Sequence, residues 1–290
     1  MRVPERLRPA RLAPTIAGPP SDNHQRRTLN LLAFKLLITP LLLVGASLAI
    51  RRWGERIGGF IVGLPLTSGP ISVFLALEQG PMFAAQAASG SLIATAAQAA
   101  LALAWCLLAT RGWPIALAGG CASFVVTAIP LQLADFSQGT LFSVALVAVL
   151  ISLRSSPRGE VEDNRLAPPW WDLPARVALV VSLIVAVTLV APYVGPVMSG
   201  VLAAFPLMGV ILALFAHRMA GPAAAQHVMH GMVAGLFGFA VFFYALGLML
   251  PRFDLVVSYA VAIVAALLAQ GISFQRMRRG RRSVESRRAE

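Results

Sequence analysis

Residues 82–109 read MFAAQAASGSLIATAAQAALALAWCLLA, a stretch without a single Asp, Glu, Lys or Arg. The hydrocarbon core of a bilayer is about 30 Å thick, and a helix of about 20 apolar residues crosses it. This segment is long enough and apolar enough to do so. Such runs recur along the whole chain. Of its 290 residues, 58% are hydrophobic and 12% charged, against about 25% charged in a soluble domain. A very large soluble core would not explain this, because the charges lie almost wholly between the apolar runs. The spare apolar surface is expected to face lipid.

Working outward from that stretch, nine apolar segments are expected, at 29–50, 56–79, 82–109, 113–133, 138–153, 173–194, 195–218, 222–250 and 253–272. The one long polar connection, 154–172, carries Arg154, Arg158, Glu160, Glu162, Asp163 and Arg165 and reads as a linker between two halves. The chain therefore divides into a basic tail (1–28), a first membrane unit with one additional helix (29–153), the linker, a second membrane unit (173–272) and a basic C-terminal tail (273–290). The first 28 residues lack the apolar core and small-residue cleavage site of a signal peptide. Cys106 and Cys121 fall inside apolar segments and read as small buried side chains.

The two halves resemble each other. An ungapped shift of 141 residues superposes Gly59 on Gly200, Pro65-Leu66 on Pro206-Leu207, Gly80-Pro81 on Gly221-Pro222 and Gly90 on Gly231. Glycine and proline punctuate helices, so their shared spacing carries the match; the alanine matches add little in so alanine-rich a chain. The fold expected is all-α, a polytopic bundle of two inverted repeats. The net charge of +12 comes from 23 Arg and Lys35. These gather at segment ends and in the tails, which reports membrane orientation rather than nucleic-acid binding. The tail from Arg276 to Arg288 has seven Arg and should be cytoplasmic. Counting back through nine spans then puts Arg218, the linker, Arg111 and the Arg51-Arg52-Arg56 cluster inside, with Arg252 outside. It also puts the basic N-terminal tail outside, against the tendency of such tails. An early segment that does not cross, or one further span, would relieve this.

Inverted repeats are common in secondary transporters, whose sites lie mid-membrane where helices are interrupted at matching positions. Pro65 and Pro206 are such a pair. Around the first, Leu64-Pro65-Leu66-Thr67-Ser68-Gly69-Pro70-Ile71-Ser72 is not expected to form a plain helix. Either Pro65, Thr67, Ser68, Gly69, Pro70 and Pro206 border a substrate site, or Pro65 makes a kink whose hydroxyls bond back to the helix. For Pro206 alone the kink is the favoured reading. Lys35 either snorkels from its helix end or faces the bundle as an anchor for an anionic group. Glu78, Gln86, His227 and His230 are candidates for proton coupling. The competing readings are an interfacial helix end for Glu78, and interhelical hydrogen bonding for the polar stripe Gln86, Ser89, Ser91 and Gln98. His227 and His230 share a helix face, but with no carboxylate or Cys nearby a metal site is not expected. Gly59-xxx-Gly63 and Gly231-xxx-Gly235 suggest close helix packing only. No nucleotide, metalloprotease or nucleophile motif is present, and neither enzymatic activity nor a cofactor is expected.

Phe34-Lys35, Arg51-Arg52, Gly58-Gly59 and Pro65-Leu66 resemble small bacterial inner-membrane proteins of the GlpM type. So do Ser199-Gly200, Phe205-Pro206-Leu207, Ala216-His217 and Gly221. The likeness covers about 50 residues of the first half and about 25 of the second, and no lysine in the second half matches Lys35. It implies a multi-pass protein of a bacterial inner membrane with a link to exopolysaccharide production. The paired-repeat plan is also analogous, in architecture alone, to the drug/metabolite transporters. The expected function is a secondary transporter or exporter of a small molecule, with an anion favoured by Lys35. The alternative is a non-transporting scaffold or accessory protein in envelope or exopolysaccharide assembly. The expected partners are the lipid bilayer and that small molecule, with no nucleic acid; a homodimer is compatible.

Overall fold

A computed structural model describes Pro65, residues 68–157, Gly159 and residues 172–271. Lys35, Thr67, the first segment (29–50), most of the second, most of the linker and both basic tails lie outside the described residues. Among the described residues all regular structure is helical, one of the two ways in which backbone groups can be satisfied where no water reaches them. The helices are α1 (Ser68–Gln79), α2 (Pro81–Leu108), α3 (Trp113–Leu133), α4 (Gln138–Ser155), α5 (Asp172–Ala203), α6 (Leu207–Ala220), α7 (Pro222–Met249) and α8 (Leu255–Gly271). A 3-10 turn, Ala109–Arg111, extends α2. Five helical stretches have the length and composition of a span: Pro81–Arg111, Trp113–Leu133, Gln138–Ser155, Leu189–Ala220 and Pro222–Met249.

The chain is thus a membrane-type helical bundle, and burial ranks its helices. In the most apolar 18 residues of α2 and α7, 72% and 67% of positions are buried, against 22% in both α3 and α4. The first two form the centre. The others turn residues such as Val126, Leu133, Ile151 and Leu268 outward, the surface that lipid would cover. Contacts give directions. Cys106, near the end of α2, meets Gln226, near the start of α7, so the central pair is antiparallel. Gln138, which opens α4, bonds to Tyr244 near the end of α7. Gly159, just past α4, bonds to Gln226. Arg111, Arg154 and Arg218 close helices at the end that carries the linker, whereas Glu78, Asp135, Arg252 and Asp254 lie at the other.

The offset of 141 also separates element boundaries. α2 and α7 are both 28 residues long and start 141 apart. Each follows a glycine with positive φ, Gly80 at 94° and Gly221 at 86°, and each has proline at its first position. These glycines turn the chain through backbone space that a side chain enters only with strain, and proline then starts the helix with φ already set. Gly221→Ala and Gly80→Ala should each destabilise the protein by about 2 kcal/mol. Thermal unfolding in detergent checks this; unchanged midpoints would mean that the turns relax.

Two expectations change. Within 64–72, Pro65 lies in a bend and residues 68–72 are helical: α1 begins at Ser68 and runs through Gly69, Pro70 and Ser72. Pro70 is the third residue, where the missing N–H has no acceptor within the helix anyway. The seventh segment is more broken. Gly195 (φ 77°, ψ 174°) divides α5, and residues 204–206 are non-helical, with Pro206 (φ −81°, ψ 53°) as the cap of α6. Pro206 therefore marks an interruption rather than a kink.

Candidate site at two helix breaks

Proline carries no N–H, so at Pro206 the carbonyl of Leu202 loses its usual helical donor. Phe205 N–H bonds to Leu202 O instead (3.2 Å), and Leu207 N–H turns back to Phe205 O (2.8 Å). The carbonyls of Ala203 and Ala204 are then left pointing out of the helix. Both are taken up by side chains from the first half. Ser68 Oγ donates to Ala203 O at 2.9 Å, and Gln98 Nε2 donates to Ala204 O at 2.8 Å. One turn earlier, Ser91 Oγ lies 3.4 Å from Gly200 O and 3.3 Å from Ala87 O. Ser68, Ser91 and Gln98 are all buried.

The depth of this junction follows from α2. Gln98 and Thr95 lie near the middle of its 28 residues, so the bond from Gln98 to Ala204 holds the second break at mid-helix. Ser68 opens α1 three residues after Pro65, and Ala203 closes the second piece of α5 three residues before Pro206. The hydrogen bond between them joins the helix that follows the Pro65 bend to the Pro206 break. Pro65 O accepts Gly69 N–H (2.8 Å) as Pro206 O accepts Val210 N–H (2.9 Å), so α1 and α6 both leave their proline through the same bond. Gly69 also packs near Phe242 of α7. Ser72 Oγ donates back to Gly69 O (2.6 Å) and accepts from Tyr259 of α8 (3.0 Å). The back-bonding reading therefore describes Ser72, whereas Ser68 reaches across to the other half.

α2 and the second piece of α5 approach backbone to backbone. A Cβ on Gly90 would fall inside the van der Waals shell of Val197 O, and one on Gly200 would meet Ala87 O in the same way. Only glycine at both positions allows this crossing, and the crossing is what brings Ala204 within reach of Gln98.

The structure groups the predicted site residues unevenly. Ser68 meets the Pro206 break, and Pro65, Gly69 and Pro70 flank it along the chain. The four coupling candidates do not form one cluster. Glu78 and Gln86 are exposed at the end of the bundle away from the linker, while His227, exposed, and His230, half-buried, lie near the start of α7. Because Gln226 faces Cys106, His230 is level with about residue 102 of α2, roughly 24 Å along the helix from Gln86. Within the polar stripe, Ser91 and Gln98 act through interhelical hydrogen bonds and Gln86 faces outward. His217 is buried in α6, and its Nδ1 has no hydrogen-bond partner among the described residues.

Sequence reasoning passed over Gln138, Gln226, Tyr259 and Gln270. Each is a polar residue of an apolar helix, and each bonds to a neighbouring helix or to the linker. A polar group able to hydrogen-bond within an apolar helix is the signal that could have singled them out. Comparison with protein-family models, with curated proteins and with solved structures finds no match to this chain.

Proposed function

We propose that the chain is a secondary transporter or exporter of a small molecule, working by alternating access between two inverted repeats. The observation that carries the reading is the junction between the start of α1 and the Pro206 break. The helix interrupted at 204–206 in the second half is bonded at Ala203 to Ser68, three residues after Pro65 in the first half, and transporters of inverted repeats place their sites at such interruptions. The inversion itself is supported by the antiparallel central pair and by the offset of 141 between their boundaries. With nine spans and the arginine-bearing linker end inside, the C-terminal tail is cytoplasmic, in a bacterial inner membrane.

The two breaks are chemically unequal. The donors that satisfy the second are Ser68 and Gln98. The residues 141 positions on are Gly209 and Phe239, neither of which has a side-chain donor. The second break is satisfied by protein alone, so on this reading the ligand binds on the side of Pro65, with Thr67, Ser68 and Gly69.

Ser68→Cys, in a background of Cys106→Ala and Cys121→Ala, tests alternating access. A membrane-impermeant maleimide should label it in right-side-out and in inside-out vesicles. Labelling from one side only, or from neither, would end the reading. One observation favours a scaffold in envelope or exopolysaccharide assembly instead: the satisfied, closely packed junction at Pro206 resembles a static core. An unreactive Ser68→Cys together with stable co-purifying partners would support it.

A further inference from the structure

We propose that Gln226 is a bolt that holds the linker end of the α2–α7 pair shut, and that its release opens this end. The proposal rests on the transporter reading, because it names the gate of the site described above.

Gln226 is buried in the first turns of α7, and its amide is used on both sides. Nε2 donates to Cys106 O at 2.9 Å. That carbonyl lies in the last turn of α2, where helix carbonyls run out of N–H partners. The Cys106 thiol lies 4.0 Å from Gln226 O, a weak second contact between the same residues. On the other side, Oε1 accepts the N–H of Gly159 at 3.0 Å. Gly159 sits where the chain leaves α4 for the second half, and it is pressed onto the start of α7. A Cβ there would come within 2.6 Å of Ala223 Cβ and 3.2 Å of Gln226 Oε1. One side chain thus ties the end of α2, the beginning of the linker and the start of α7. It does so through backbone groups, so the tie needs no particular partner side chain.

Among the described residues, the opposite end of the pair has no such tie. Positions related to Gln226 and Cys106 by 141 residues are Ala85 and Gly247, which have no polar side chain. There α7 is held to α4 through Gln138, whose Nε2 donates to Tyr244 O at 3.0 Å, and not to α2. Two central helices from different halves, hydrogen-bonded to each other at one end only, are biased toward closure at that end. Opening it requires the Gln226 bonds to break, whereas the far end can part without that loss.

Cys106 is a native reporter, because it is buried against the bolt. In a Cys121→Ala background, an impermeant maleimide supplied from the linker side measures how often this end opens. Gln226→Leu keeps the bulk and removes both bonds, and Gly159→Val pushes the linker away from Ala223 without touching Cys106. Both should raise the labelling rate about tenfold, while Gln138→Leu at the far end should leave it within about twofold of the parent. The bolt is refuted if Gln226→Leu labels no faster than the parent. It is equally refuted if Gln138→Leu speeds labelling as much, since that shows general loosening. Should Gln226→Leu fail to accumulate in membranes, Gly159→Val carries the same test. Two-sided labelling of Ser68→Cys can fail while the Cys106 result stands, and the reverse, so the two proposals are separable.

Discussion

Gly200→Leu should yield no folded protein. Size-exclusion chromatography of the detergent-solubilised variant should show only aggregate, or no protein at all. At Gly200 the obstacle to a side chain is the carbonyl of Ala87 with its carbon behind it. Overpacking a core usually costs about 1–3 kcal/mol when neighbouring side chains can rotate away. Backbone in the middle of a 28-residue helix cannot rotate, so the cost here should exceed about 3 kcal/mol, a large part of the stability of most domains. Gly90→Leu should behave alike, because it meets Val197 O across the same crossing. Gly139→Ala is the control: a Cβ there would approach only Ser137 Oγ, at 4.0 Å. A monodisperse Gly200→Leu with a native unfolding temperature would show that α2 and α5 do not cross at these glycines.

The second large effect is expected at Gln98. Gln98→Leu preserves volume and removes the donor to Ala204 O. That carbonyl sits at the middle of the bundle, where no bulk water replaces the bond. A buried acceptor left without a partner costs about 1–3 kcal/mol, so the variant should unfold well below wild type in detergent. Gln98→Glu should be milder than Gln98→Leu, since a carboxyl at this depth takes up a proton and its O–H can donate to Ala204 O. Ser68→Ala should cost less, because a hydroxyl donates only one proton and its loss leaves room for a water. If Gln98→Leu unfolds with the wild type, Ala204 O has another donor and the second break is not sealed in the way described.

These two tests bear on different parts of the junction. The glycines set how close the helices come, and the glutamine uses that closeness. Loss at Gly200 with tolerance at Gln98 would leave a packing crossing without a polar junction.

Much of the fold was legible in the sequence, because the properties that shape a membrane helix are local. A run without charges states its own length, so 113–133 and 222–250 were readable to within a residue or so. Gly-Pro pairs state where a helix restarts, and Gly80-Pro81 and Gly221-Pro222 do so by fixing backbone angles rather than by contacts. The sites were less legible. Pro70 looked like a second break, yet proline in the first turn of a helix removes a hydrogen bond that does not exist. Pro206 looked like a kink, yet Phe205 and Leu207 turn their N–H groups inward and open the helix. The Pro70 outcome depends on where the helix starts, and the Pro206 outcome on whether donors from elsewhere reach the freed carbonyls, as Ser68 and Gln98 do.

What the sequence alone determined is that residues such as 82–109 belong in lipid-depth helices, that these helices are separated by short turns, and that their Gly and Pro punctuation repeats at 141. What only the tertiary structure decided is which polar residue serves which backbone group. Ser68, Gln98 and Gln226 each act on carbonyls more than 100 residues away, and spacing along one helix cannot encode that. Hydrophobicity acts on each segment separately. Hydrogen-bond satisfaction is a property of the assembled bundle, and it joined the start of α1 to the Pro206 break and tied one end of the central pair.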